Sequence, residues 1–271
     1  MMPRDHAGLG MRDVTAFSVP DIIRTSFAVY FSNLPTFLPL SLVVLLPSFA
    51  VVLFVGSSSL NDPLVMPALN EIQDPAVAYA ALGRIYLVLT REFFVNWLCA
   101  FWLQAALAFG VVRHLRGGHA DFAEQIAQAV RRMVPATAVA AIVAVATGIG
   151  LYLLVVPGVI LAMVLWVAVP AVIVERRGLH SLARSAELTR GFRGQIFGLA
   201  LVLTLLHLVA GTTVVLVSIE ITTNPLLVWS MGQAVGVVFV GIWATAASVS
   251  YHDLRVLREG VDTRSVSRVD D

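Results

Sequence analysis

Lysine is absent from this chain of 271 residues, so all 18 basic side chains are arginine. Charge of either sign is scarce: charged residues make up 13% of the chain, where a soluble domain carries about 25%. Acidic residues number 17 and the net charge is +1, which excludes the clustered positive excess that a nucleic-acid binder or polyanion trap needs. There is one cysteine, Cys99, so no intrachain disulfide and no multi-cysteine metal site can form. Its neighbours Trp97, Leu98, Ala100 and Phe101 fit a buried thiol serving as a small apolar group. The six histidines (His6, His114, His119, His180, His207, His252) form no His-Glu-x-x-His pair. No Gly-x-Ser-x-Gly elbow or Walker loop occurs, and neither a metal nor a cofactor is expected. The first apolar run begins near Leu34, behind several charges, so a retained first helix is expected in place of a cleavable signal peptide.

What the chain has in abundance is apolar length. Apolar residues make up 58%, and the mean hydropathy is +0.86. The 41 residues from Val134 to Val174 contain no charge, and arginines flank them at Arg131-Arg132 and Arg176-Arg177. A bilayer core about 30 Å thick needs roughly 20 residues per helical crossing, so this run predicts two crossings, Val134–Val156 and Val159–Val174. Pro157-Gly158 predicts the turn between them, because proline lacks a donor and glycine tolerates any φ.

The same reading places the other crossings. Residues 1–18 form a polar cytoplasmic tail. An amphipathic stretch, Asp21–Asn33, follows with Asp21 as its cap. The first crossing runs from Leu34 to Gly56, with Pro39 and Pro47 as potential kinks. Ser57–Gly83 reads as a long loop, and Ala76–Thr90 as an interfacial helix leading into a second crossing, Phe93–Val112. A second amphipathic helix, Asp121–Met133, carries Phe122, Ile126, Val130 and Met133 on one face. A third, Ser181–Arg193, precedes a fifth crossing at Gln195–Ile219. Asn224-Pro225 marks the next turn, and a sixth crossing spans Leu226–Ser250. The expected fold is all-α: six membrane helices as three hairpins across residues 19–260, each hairpin preceded by a cytoplasmic amphipathic helix, with a tail at 261–271. Arginine placement sets the orientation. With both termini cytoplasmic, 16 arginines fall inside and Arg84 and Arg91 outside, as the positive-inside rule demands. Asp21 precedes Pro35, Asp121 precedes Pro135, and Ser181 precedes Gln195, each by fourteen residues; this suggests three related units.

Pro170 to Glu175, then Gly178, Ala183-Arg184-Ser185, Leu188 and Gly191-Phe192, form a pattern that resembles the glycerophosphoryl diester phosphodiesterase membrane domain family, which includes YciC-like inner-membrane proteins. The close Tyr251-His252-Asp253-Leu254-Arg255, with Arg258-Glu259-Gly260, is similar to the ending of that group. The likeness covers roughly residues 18 to 260. In the proteins that gave the family its name, a separate soluble barrel carries hydrolysis through a His-Arg-Gly segment and acidic metal ligands. This chain has no His-Arg-Gly and no segment long enough for that barrel. The resemblance therefore implies a bacterial inner-membrane domain and no hydrolase.

Two sets of polar residues stand out. Within the crossings, Glu92, Asn96 and Gln104 make a polar stripe, His207 stands mid-span, and Gln233 lies between Gly232 and Gly236 in a GxxxG-type contact. An ionisable group at such depth is a functional candidate; His207 is either a neutral imidazole bonded between helices or a proton relay. Together the five either line a cavity for a headgroup or solute, or bond helix to helix. At the cytoplasmic side are Glu175, Arg184, Ser185, Arg190, Arg193, Tyr251, Asp253 and Arg255. The arginines face anionic lipid or merely set topology, and Asp253 and Arg255 are candidates for pairing with another cytoplasmic helix. The expected function is a non-catalytic membrane protein of envelope organisation, in contact with lipids and with a membrane partner or second copy, and without nucleic acid. The alternatives are a small transporter or lipid-moving protein with a cavity between repeats, and, least supported, an intramembrane enzyme.

Overall fold

Ser18 opens the first helix: its hydroxyl lies 3.5 Å from the Asp21 backbone N–H, and Pro20 occupies the first turn, where its missing donor costs nothing. The cap is therefore Ser18, and Asp21 instead places its negative charge against the positive end of the helix. The computed structural model describes residues 14, 16–51, 75–118, 122–175 and 178–260. Ten helices are described, with no strand among them: α1 (Val19–Ser32), α2 (Leu34–Val51), α3 (Pro75–Leu115), α4 (Phe122–Arg131), α5 (Met133–Leu153), α6 (Val155–Val164), α7 (Ala168–Glu175), α8 (His180–Leu188), α9 (Arg193–Ile221) and α10 (Pro225–Glu259).

Among the described residues four stretches are long and apolar enough to cross a membrane: Val95–Leu115, Val155–Glu175, Arg193–Ile221 and Leu227–Glu259. The α1–α2 pair makes a fifth if its 91° bend is counted within one span, and the apolar part of α5, Val134–Gly150, is shorter. A multi-pass membrane protein is the class this architecture defines.

α10 and α3 form the centre. Every residue from Ala244 to Leu254 in α10 is buried, which requires neighbours on all sides. The composition allows it: Ala244, Thr245, Ala246, Ala247, Ser248 and Ser250 are small enough for helices to approach closely. The hydroxyls of Thr245, Ser248 and Ser250 donate to carbonyls one turn back at 2.9, 2.9 and 2.7 Å, so no polar atom of these three is stranded. α3 answers with Leu103–Ala108, likewise all buried. α1 lays Ile22, Ser26, Val29 and Tyr30 on α10; Gly241 lies under the Tyr30 ring, where any side chain would collide.

Four sequence expectations are corrected. α3 runs unbroken from Pro75, so the chain from Pro75 to Gly83 is helical, and Ala76–Thr90 is the start of the crossing helix and no separate interfacial one. Pro157-Gly158 is not the turn between α5 and α6. The chain reverses at Leu154, whose φ of −152° and ψ of 117° are extended, and Pro157 sits in the first turn of α6. Gly158 serves the hairpin differently, by letting Gly150 approach: a Cβ on Gly150 would stand 2.7 Å from the Gly158 Cα. The fourth crossing is interrupted between Val164 and Ala168. Ser181 is not a helix cap, since α8 begins at His180 behind Leu179 with no side-chain cap. With Asp21 also displaced, the fourteen-residue regularity does not mark helix caps. Asp121 lies outside the described residues, as do the end of the first expected crossing and both tails except Val14 and 16–18.

The Gly150 contact yields a paired prediction. Gly150→Ala forces backbone apart and should cost about 1–3 kcal/mol, while Gly148→Ala, with nothing within 4 Å of its Cβ, should be neutral or stabilising by up to about 1 kcal/mol. Thermal unfolding in detergent measures both; equal midpoints for the two variants would contradict the hairpin geometry.

Candidate functional site

The residues that converge lie where α7, α8 and α10 meet. α7 ends on Glu175, α8 presents Arg184 on its inner face, and the last turns of α10 carry Tyr251, Arg255 and Glu259. Arg184 Nε donates to Glu175 Oε1 at 3.1 Å, and its other nitrogens reach Glu187 at 3.1 Å and Glu259. Tyr251 donates its phenol O–H to the same Glu175 oxygen at 2.9 Å. Arg255 closes the set by donating to Glu259 at 2.9 Å. The side chains of Glu175 and Arg184 are only 6% and 12% exposed, so their charges are largely removed from water and depend on each other. Burial alone would lower the pKa of Arg184, but hydrogen bonds and charge from Glu175 and Glu187 raise it above the ordinary arginine value. A raised pKa keeps its stabilisation intact below the unfolded-state value, so this contribution persists through neutral pH and is lost only in strong alkali.

The interruption between α6 and α7 is served from this side and from α3. Pro170 has no N–H, so the Trp166 carbonyl lacks its usual partner; Gln104 Nε2 lies 3.5 Å from it. The Ala168 N–H turns to Leu165 O, which leaves the Val164 carbonyl open. Ser185 Oγ donates to that carbonyl at 2.8 Å and Thr189 Oγ1 at 3.3 Å. A break in a membrane helix is tolerable when side chains satisfy the freed backbone in this way.

Arg258 of α10 donates to the Leu188 carbonyl at 3.2 Å and to the Arg190 carbonyl, with its guanidinium 5.9 Å from the Phe192 ring centroid. Gly191, at φ +86°, permits the bend between α8 and α9. Arg190 and Arg193 are exposed beside this joint. Asp253 is fully buried, with Oδ1 3.5 Å from His252 Nδ1; the carboxylate that meets the Arg184 guanidinium from α10 is Glu259.

The residues singled out within the crossings do not converge. Asn96 Oδ1 accepts from Ser48 on α2 at 3.3 Å. Gln104 serves Trp166. His207 stacks on Phe239 with centroids 5.0 Å apart and planes at 6°; Thr204 bonds its own helix, and Gly211 faces open space. Gln233 lies in a groove near the α9–α10 turn. Of the two glycines beside it, Gly232 touches Val215 of α9 and Gly236 touches nothing. The Glu92 side chain lies outside the described residues. Among the described residues no group of three or more His, Cys, Asp or Glu is placed to hold a metal.

Thr189 and Phe17, which packs on Phe192 at 5.6 Å, belong to this joint and carry no motif that marks them, whereas Arg258 stands in the closing motif Arg258-Glu259-Gly260. Glu259 had a signal: it stands one turn beyond Arg255 and two beyond Tyr251. Comparison of the chain with protein-family models, curated proteins and solved structures finds no match to any of them.

Removing Arg184 takes from the buried Glu175 the guanidinium that pairs with it from α8. Arg184→Ala should therefore destabilise by about 3–5 kcal/mol, and Tyr251→Phe, which removes one hydrogen bond to a carboxylate, by about 1.5–3 kcal/mol. Glu187→Ala, at a side chain 64% exposed, should stay within about 1 kcal/mol. Detergent-phase unfolding of the three variants checks the order; an Arg184→Ala protein as stable as Glu187→Ala would refute the buried network.

Proposed function

We propose that the chain is a non-catalytic, multi-pass protein of a bacterial inner membrane that acts in envelope organisation through lipid or membrane-partner contact. In this reading it is of the glycerophosphoryl diester phosphodiesterase membrane-domain type, with six crossings in three hairpins and both termini cytoplasmic. One observation carries it. The polar groups singled out within the crossings lie apart, with Asn96, Gln104 and His207 each engaged by a different neighbour, whereas the charge that does converge forms a buried joint between helices. Such an arrangement fits a scaffold better than a reaction centre, which needs acid, base or nucleophile within reach of one substrate.

Lipid contact is supported at the same end of the molecule. Arg190 and Arg193 are exposed beside the joint, and on α4 the apolar Phe122 and Val130 are exposed together with Arg131. A helix with an uncovered apolar side and adjacent arginines suits the boundary of an anionic leaflet. In α4 the inward position goes to Gln125, which packs on Gly110 of α3. A transporter remains the second reading because of the interrupted α6–α7 crossing, a feature of substrate sites between repeats.

Labelling tests the orientation. In a Cys99→Ala background, Arg190→Cys should react with a membrane-impermeant maleimide only in inverted vesicles, and Thr223→Cys only in intact spheroplasts; the opposite pattern overturns the assignment. Native mass spectrometry of the purified protein should find bound lipid or a partner subunit. A lipid-free, partner-free protein stabilised by a small solute would favour transport instead.

A further inference from the structure

Near the turn joining α9 to α10, the two helices part to leave a groove of about 530 Å³. That size falls within the range of small-molecule sites, about 300–1,000 Å³. Val215, Ile219, Val228, Trp229, Gly232 and Gln233 line it. The base is narrow because Gly232 brings the helices together: a Cβ there would stand 3.3 Å from Val215 Cγ2.

Three polar groups in this groove form no hydrogen bond among the described residues. They are the Gln233 amide, the Trp229 indole N–H and the Thr223 hydroxyl at the rim. By contrast, the neighbouring polar side chains are occupied: Ser218 bonds to Val214 O at 2.6 Å and Thr222 accepts from the Asn224 N–H at 3.2 Å. Gln233 stands eight residues into α10, roughly 12 Å from the helix start at 1.5 Å per residue. An amide at that depth in a crossing helix has no water to bond, so leaving it unmet is costly.

We propose that this groove holds one phospholipid acyl chain, with the glycerol-ester end of the lipid at Gln233, Trp229 and Thr223. The donors match the ligand: an amide N–H, an indole N–H and a hydroxyl suit the acceptor-only carbonyls of an ester, while Val215, Ile219 and Val228 suit the methylenes. The groove lies between two crossing helices whose most apolar windows are only 11% and 22% buried by protein, so it opens toward the bilayer. Trp229 takes the interfacial position in which aromatic side chains meet headgroups. Its ring also packs edge-on against Phe49 at 6.3 Å, which holds it in place from α2.

The inference rests on the bilayer reading above, which the maleimide pattern of Thr223→Cys tests independently. The full chain is reconstituted in vesicles of phosphatidylethanolamine and phosphatidylglycerol containing a phospholipid with a photoactivatable diazirine on one acyl chain. Irradiation should concentrate adducts on the groove walls between Val215 and Gln233. Ile219→Trp, a large side chain at a lining position already 54% exposed, should fill the groove and reduce those adducts severalfold. Gln233→Leu should weaken retention of the lipid through gel filtration by about threefold, the factor supplied by one hydrogen bond of average membrane strength. Leu208→Trp, on the same helix but outside the groove, should change neither readout. Adducts spread evenly over the exposed faces of α9 and α10 would overturn the assignment. So would groove adducts unaffected by Ile219→Trp, or a chain-to-chain crosslink from a photoreactive residue at position 233, which would identify a second copy as the occupant.

Discussion

Glu175 is a buried carboxylate that accepts from both the Arg184 guanidinium and the Tyr251 phenol. Because it ends α7 while these two partners sit on α8 and α10, the three helices cannot separate without breaking an ion pair and a hydrogen bond to a charge that is largely removed from water. Most of the lower half of the molecule follows from that condition. Arg184 must face inward, which turns Ser185 toward the open carbonyl of Val164; Thr189, one turn on, joins it. The same condition brings the end of α10 against the α8–α9 joint, where Arg258 caps the last carbonyls of α8 and covers Phe192.

The two ends of α10 do different work. Its C-terminal half carries the fully buried run Ala244–Leu254 and anchors the bundle, while its N-terminal half forms a hairpin with α9 and leaves much of its apolar surface uncovered by protein. Rigidity and accessibility are thus separated along one helix. A joint locked by charge at one end leaves the other free to present a groove. The interrupted crossing fits this division, since its Trp166 and Val164 carbonyls are met from α3 and α8.

Much of the outline was legible from residue order. Hydropathy located α9 and α10 to within a few residues at their turn, because a bilayer imposes a length and an apolar composition on anything that crosses it. Tyr251, Glu175, Arg184 and Arg255 stand in the motifs that carry the family resemblance, and they meet in space. Glu259 was visible in the closing motif Arg258-Glu259-Gly260 and as a neighbour of Arg255 on its own helix; its bond to Arg184 depends on how α8 docks. Asn96, Gln104, His207 and Gln233 were candidates either for lining one cavity or for bonding helix to helix; they do not meet, since Asn96 bonds Ser48, Gln104 reaches the Trp166 carbonyl, His207 stacks on Phe239 and Gln233 lies in the α9–α10 groove.

By itself the order of residues determined that the chain is helical and membrane-crossing, since lipid permits few backbone solutions and the apolar runs have the required length. Where those helices turn and break was decided in three dimensions. Pro157-Gly158 has the composition of a turn, but Gly158 is used for close approach to Gly150, and the reversal falls at Leu154. Pro170 interrupts a crossing whose freed carbonyls are met only because Gln104 and Ser185 arrive from elsewhere. Local composition states what a residue can tolerate; which tolerance is used depends on the partner that packing brings to it.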